Sequence, residues 1–312
     1  MIDELFAQLE ERGYKGRIVS IQHLGELREE IEGYHEQGLF DEEFYQKLLT
    51  WLAFSPPDSL PEARSLIVVA VPQPQFQVIF TWHEEKLPFL IPPIYVAYGE
   101  TSRQVERLLA GILGSEGYHV VQTALPEKLL AVRSGLGAYG KNNICYVPGM
   151  GSFHRLVTFY SDLPCPKDTW QELQMLERCQ NCSACLRHCP TGAIPSAPFK
   201  TGTSDRFLLR AERCITFHNE QPGNIPFPAW LDPSWHNCLV GCLHCQRVCP
   251  QNKDFLAWIE KGPEFSSEET ALILERVPLE QLPAETASKW RQLAWDEDFD
   301  ILPRNLGVLI RR

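Results

Sequence analysis

Three observations predict an α+β protein built in two parts. Helix and strand patterns alternate up to about residue 165. Prolines and cysteines then displace regular periodicity as far as about residue 252, and two compact cysteine blocks inside that stretch each end in Cys-Pro. A chain of 312 residues, 44% hydrophobic and 22% charged, is ordinary for a globular protein and long enough for two domains. The expected division is 1–165 for an α/β domain with N-terminal helices, 166–262 for a cysteine-rich module and 263–312 for a helical tail packing on the core.

Within the first part, residues 1–50 read as helical. DELFAQLEERG, LGELREEIEGYHEQG and DEEFYQKLLTWLAF carry apolar residues at helical spacing and stop at Gly or Pro. SLIVVAVPQ (65–73) is a continuous β-branched run, a buried strand closed by Pro72, and QVIFTW is a second strand. TSRQVERLLAGILGSEG predicts an amphipathic helix with Thr101 or Ser102 as its cap. YHVVQTAL predicts a strand, PEKLLAVRSG a helix and RLVTFYSD (155–162) another strand. From Leu163 onward the composition cannot build much apolar core and needs an internal staple. Helical patterning returns from Ser266.

Composition narrows the function. No apolar stretch approaches the roughly 18–20 residues needed to cross a bilayer, so no membrane partner is expected. MIDELFAQLEERGYKG lacks the basic start and apolar middle of a signal peptide. That predicts a cytoplasmic chain, whose eleven cysteines hold metal rather than pair. The charge sum, 29 − 40 = −11, argues against a nucleic-acid partner.

The staple is in the cysteines. Cys179, Cys182, Cys185 and Cys189 stand in CQNCSACLRHCP, the C-x2-C-x2-C-x3-C-P run in which three thiolates wrap one 4Fe–4S cubane and the fourth reaches a second. CLVGCLHCQRVCP supplies Cys242, Cys245 and Cys249, with Cys238 four residues earlier. Structural zinc also uses C-x2-C pairs, but four cysteines within eleven or twelve residues closed by Pro, twice over, fit cubanes better. Covalent haem is excluded because neither block has His after its C-x2-C. Crossed ligation assigns one cluster to Cys179, Cys182, Cys185 and Cys249. The other takes Cys189, Cys242 and Cys245, with Cys214 and Cys238 competing for the fourth place. Cys145 and Cys165 read as small buried hydrophobes, and His154, His188, His218, His236 and His244 as loop or surface residues.

Gly135, Gly137 and Gly140 formally satisfy G-x-G-x-x-G. A dinucleotide fingerprint follows a strand and opens a helix, whereas this segment follows a helical pattern and opens none. Glycines that end a helix and let backbone approach a large planar cofactor are the better account.

AVRSGLGAYGKNN (131–143), GSFHRLVTFYSDLP (151–164), CQNCSACLRHCPTGAI, RCITF (213–217), GCLHCQRVCPQN and LPRNLGVLI together resemble epoxyqueuosine reductase, collinearly from about Ser65. The resemblance implies a nitroreductase-like α/β sandwich followed by a two-cluster bacterial ferredoxin-like module. It also implies cobalamin as a second cofactor, with electrons passing from an external ferredoxin- or flavodoxin-type donor through the clusters to cobalt. It favours Cys214 over Cys238 as the open ligand, and places Gly135, Gly137, Gly140, Lys141, Asn142 and Thr216 beside the corrinoid.

The chain departs from the family where the family has a GRDYH-like segment, whose Asp is the proposed proton donor. YVAYGETSRQV puts Thr101 at the aligned place, with Glu100 and Tyr98 as the nearest other donors. A D-S-G-P-x-L-E segment appears as VQTALPE, keeping only Glu127. The helical-repeat extension that many members carry for tRNA is missing as well. With the charge of −11, these departures predict a reductase acting on an unidentified small molecule or partner protein, and disfavour tRNA. The alternatives are a corrinoid-reducing electron-transfer protein and, third, a tRNA epoxyqueuosine reductase.

Overall fold

The computed structural model describes residues 2–201, 204–294 and 296–311. Its strands are β1 (Lys15–Ser20), β2 (Ser65–Pro72), β3 (Gln75–Trp82), β4 (Glu85–Ile91), β5 (Val120–Gln122), β6 (Ala138–Tyr139), β7 (Cys145–Tyr146), β8 (His154–Ser161), β9 (Phe199–Thr201), β10 (Ser204–Arg206) and β11 (Ile259–Phe265). Its α-helices are α1 (Ile2–Glu10), α2 (Leu24–Glu36), α3 (Glu42–Leu48), α4 (Tyr98–Gly114), α5 (Glu127–Arg133), α6 (Ala184–His188), α7 (Ile215–Asn219), α8 (His244–Arg247), α9 (Ser267–Leu274), α10 (Ala284–Arg291) and α11 (Leu302–Ile310). The α+β class is borne out. Two compact units interleave in sequence. The first comprises Met1–Pro72, Thr101–Ser183 and Ile194–Ala211, the second Gln73–Glu100, Ala184–Ala193 and Glu212–Arg312.

The first unit is a helix–sheet–helix sandwich. Its antiparallel sheet runs β1-β2-β8-β5. Side chains alternate across a strand, and β2 obeys this strictly. Ile67, Val69 and Val71 pack with Leu5 and Leu9 of α1 and Val105, Leu109 and Leu113 of α4. Leu66, Val68 and Ala70 pack with Leu27 and Ile31 of α2 and Leu129 and Leu130 of α5. Apolar layers on both faces explain why β2 reads as an unbroken hydrophobic run.

Two expectations need correction here. The first fifty residues are not all helical, because β1 lies among them, paired with β2 along its whole length. Only Ile18 and Val19 mark it as a strand, and its short, mixed sequence takes its shape from its partner. Gly16 sits under α1, where a Cβ would meet Leu9 Cδ1 at 2.9 Å. Neither Thr101 nor Ser102 caps α4. The helix starts one turn earlier, after Ala97 at φ +53°, whose N–H bonds the Leu293 carbonyl, and both hydroxyl residues are buried inside it.

The second unit has its own sheet, β11-β3-β4, with β11 parallel to β3 and β4 antiparallel to it. Helices α9, α10 and α11 cover it. Ser266 caps α9 through a capping box with Glu269. Trp290, fully buried, stands at 6.2 Å from the Phe265 ring and 5.4 Å edge-on to Phe299. Replacing Trp290 by Ala removes the largest buried side chain of this core and is expected to cost about 3–5 kcal/mol. Denaturant unfolding read by circular dichroism checks this, and a loss below about 1 kcal/mol would contradict the packing described.

Candidate metal centre

In the second unit, cysteines distant in sequence come together around three short helices. Cys185 lies on α6 and Cys189 just after it, Cys214 caps the start of α7, Cys238 bridges to Leu90 of β4, and Cys242 and Cys245 flank and enter α8. Burial pushes the Cys214 thiol up, and the neighbouring Cys189 sulfur pushes it the same way. Burial pushes Cys242 still further, with Cys245, Cys214 and Cys238 adding to it. Against this, Cys214 accepts hydrogen bonds from the Thr216 backbone and side chain and from the Phe217 backbone, and Cys242 accepts one from the His244 backbone. Cys189 Sγ lies 3.5 Å from Thr191 Oγ1.

Half-buried thiols that repel one another as anions, yet are supplied with donors suited to thiolate, fit a site completed by cationic metal. Among the described residues, no three His, Cys, Asp or Glu side chains close round a single ion; a cubane holds its four thiolates further apart. Thr216, assigned to the corrinoid by the resemblance, here bonds the Cys214 sulfur. Cys249 precedes the 3-10 turn Pro250–Asn252.

The first unit holds Cys179 and Cys182 and the glycine segment. Gly135, at φ +76°, follows α5 in a Schellman arrangement: its N–H bonds the Val132 carbonyl and the Leu136 N–H bonds the Ala131 carbonyl. That is a helix stop, as expected, and not the start of a nucleotide-binding helix. A Cβ on Gly137 would meet the Tyr146 carbonyl oxygen at 2.6 Å. One on Gly140 would meet Asn142 Oδ1 at 2.6 Å and the Tyr146 ring at 2.7 Å. The hairpin β6–β7 fills both positions from within. Lys141 Nζ donates to the carbonyls of Gln180 (3.3 Å) and Cys182 (3.1 Å).

Asn142 is buried and its Nδ2 donates to Tyr146 Oη at 2.9 Å, while its Oδ1 has no partner among the described residues. Asn143 Oδ1 and His154 Nδ1 are orphaned in the same way. Cys145 is buried as expected, whereas Cys165 is half-buried. His154 corrects the reading of the histidines as loop or surface residues, being buried within β8; His236 lies in a loop, as expected, but is buried there.

The acids are modest. Tyr98 is 49% exposed at the start of α4, with half-buried Glu100 in the same first turn. Thr101, at the family's Asp position, is buried. In the first unit Glu127 is half-buried 3.5 Å from Arg155, and burial holds its carboxyl above the usual range despite that cation.

Residues 178–252 match the family model of a 4Fe–4S double cluster binding domain. The chain is similar to the epoxyqueuosine reductases, as its motifs suggested. It is 36% identical over 156 residues to that of Burkholderia pseudomallei, covering 47% of this chain and 35% of the relative. With that of Xanthomonas campestris it shares 34% over 210 residues, covering 66% and 50%. The chain thus spans between about a third and a half of these curated relatives. A solved epoxyqueuosine reductase holding a tRNA-Tyr epoxyqueuosine-modified stem loop shares the fold with a TM-score of 0.64 at 21% identity, over 99% of this chain and 80% of that one. These relatives run against the expectation that tRNA is disfavoured. A net charge of −11 sums the whole chain and does not say where its cations stand. No helix among the described residues is long and apolar enough to cross a membrane.

Burial pushes the His154 imidazole down to about 4, only partly opposed by a hydrogen bond to the Gly151 backbone. The unfolded chain therefore takes up this proton first as pH falls below 6.5. Between pH 6.5 and 5 the parent is expected to lose about 1.5 kcal/mol more stability than His154→Gln. Denaturant midpoints at the two pH values check this, and equal losses would contradict it.

Proposed function

We propose that the chain is a cytoplasmic cobalamin- and iron–sulfur-dependent reductase whose substrate is epoxyqueuosine in tRNA. The observation that carries the reading is the group of half-buried cysteines gathered round buried Cys238 in the second unit, inside a segment that matches a double-cluster domain. One cluster is assigned to Cys179, Cys182, Cys185 and Cys249, the other to Cys189, Cys214, Cys242 and Cys245. The donors on Cys214 from Thr216 and Phe217 support Cys214 as the fourth ligand, leaving Cys238 as a buried neighbour. An external ferredoxin- or flavodoxin-type protein supplies electrons.

The corrinoid is assigned to the 135–154 segment. Its periphery carries amide groups, and the orphaned Asn142 Oδ1, Asn143 Oδ1 and His154 Nδ1 are acceptors suited to amide N–H. When bound, the corrinoid supplies a strongly reducing cobalt and the clusters a one-electron conduit. The chain's own residues hold, orient and desolvate these groups. The proton falls to Glu100 or Tyr98 in the first turn of α4, since Thr101 has no carboxyl to give. That missing carboxyl is the one observation favouring the rival reading, a corrinoid-reducing protein with no organic substrate.

Two measurements test the reading. In anoxically prepared protein, Cys214→Ser is expected to lower iron from about eight per chain, two cubanes, toward four, while Cys238→Ser stays near the parent value. The opposite result would move the ligand to Cys238. Anticodon nucleosides from cells lacking the protein, analysed by mass spectrometry, are expected to accumulate epoxyqueuosine. An unchanged profile, in cells with no second such reductase, would favour the electron-transfer reading.

A further inference from the structure

Lys141 commits its ammonium to the backbone of a metal-binding loop. Nζ donates at 3.3 Å to the Gln180 carbonyl and at 3.1 Å to that of Cys182, and it stands 5.5 Å from the centre of the Phe207 ring. The reach spans about forty residues of sequence, from the hairpin β6–β7 to the loop carrying Cys179 and Cys182. Within the loop, Cys179 N–H bonds the Leu176 carbonyl, Gln180 N–H that of Glu177, and Cys182 N–H that of Cys179 at 3.3 Å. Lys141 itself is anchored by its position between Gly140, which the Tyr146 ring and Asn142 pack against, and the buried Asn142.

We propose that Lys141 is a positioning residue for the cluster ligated by Cys179 and Cys182, fixing the ligand loop and raising that cluster's reduction potential. The inference rests on the two-cluster reading above and gives Lys141 a role that the resemblance to the family did not suggest. Two physical effects act in one direction. A cation beside a cluster favours the form with one more electron, because reduction adds negative charge. The two carbonyls it binds also belong to the peptide units whose N–H groups are those of Asn181 and Ser183. Drawing electron density toward each oxygen makes those N–H groups stronger donors to any cluster sulfur they meet. The Phe207 ring 5.5 Å from the ammonium adds an attractive contact that helps hold it in place.

The test is an EPR-monitored redox titration of the anoxically prepared full chain, with Lys141→Gln and Lys141→Arg beside the parent. Cys182→Ser identifies which signal belongs to the cluster in question. Lys141→Gln is expected to shift that midpoint to more negative potential and leave the other in place. Lys141→Arg, which keeps the charge but re-aims the donors, is expected to shift the same midpoint less. Unmoved midpoints, or equal shifts of both, would overturn the proposal. If Lys141→Gln does not retain its iron, Lys141→Arg decides alone: a selective shift supports the proposal and a midpoint equal to the parent's overturns it. A parent that never holds two cubanes removes the ground under both readings, whereas a two-cubane parent indifferent to Lys141 overturns this one only.

Discussion

Several thiols cannot share a buried space as anions unless something positive stands among them. In the second unit, burial and neighbouring sulfurs both drive Cys214 and Cys242 toward the neutral form, yet backbone N–H groups of Thr216, Phe217 and His244 are turned to receive negative charge. Iron held there, as proposed, would reconcile the two tendencies. Metal binding then becomes folding energy for a stretch that has little apolar core of its own. The short helices α6, α7 and α8 span five residues or fewer and have no independent stability at that length, so the proposed centre would also hold them.

How much of this was legible depended on whether the signal was local. The cysteine blocks declare themselves through spacing within a dozen residues, and β2 and β8 through runs that both faces bury. β1, β4 and β11 did not, because each takes its shape from a strand elsewhere. β11 lies parallel to β3 across some 180 residues of sequence, and its Gly262-Pro263 step conceals a strand. Pro88 does the same for β4. The second sheet is therefore hidden in the sequence, apart from QVIFTW, which reads as a strand by itself. At the site, spacing left Cys214 and Cys238 in competition. Thr216, expected beside the corrinoid, also bonds the Cys214 sulfur, a contact that spacing does not show. Buried His154 and His236 belong to the same class of information, fixed by what packs around them.

The glycine segment shows how a motif and its physical cause can part. G-x-G-x-x-G is satisfied by letter, but Gly135 ends a helix in the left-handed region, and Gly137 and Gly140 leave room for Tyr146, Cys145 and Asn142. The packing of that hairpin is what sends Lys141 toward the cysteine loop and buries Asn142 with an acceptor still unspent. A single local constraint thus sets up one contact to the cluster loop and one polar face suited to an amide-rich cofactor.

The most direct measurement is iron, acid-labile sulfide and zinc content of the anoxically prepared chain. Two cubanes require about eight irons and eight sulfides per molecule, with zinc at trace level. Zinc in place of iron, or iron near four with every cysteine intact, would contradict the account.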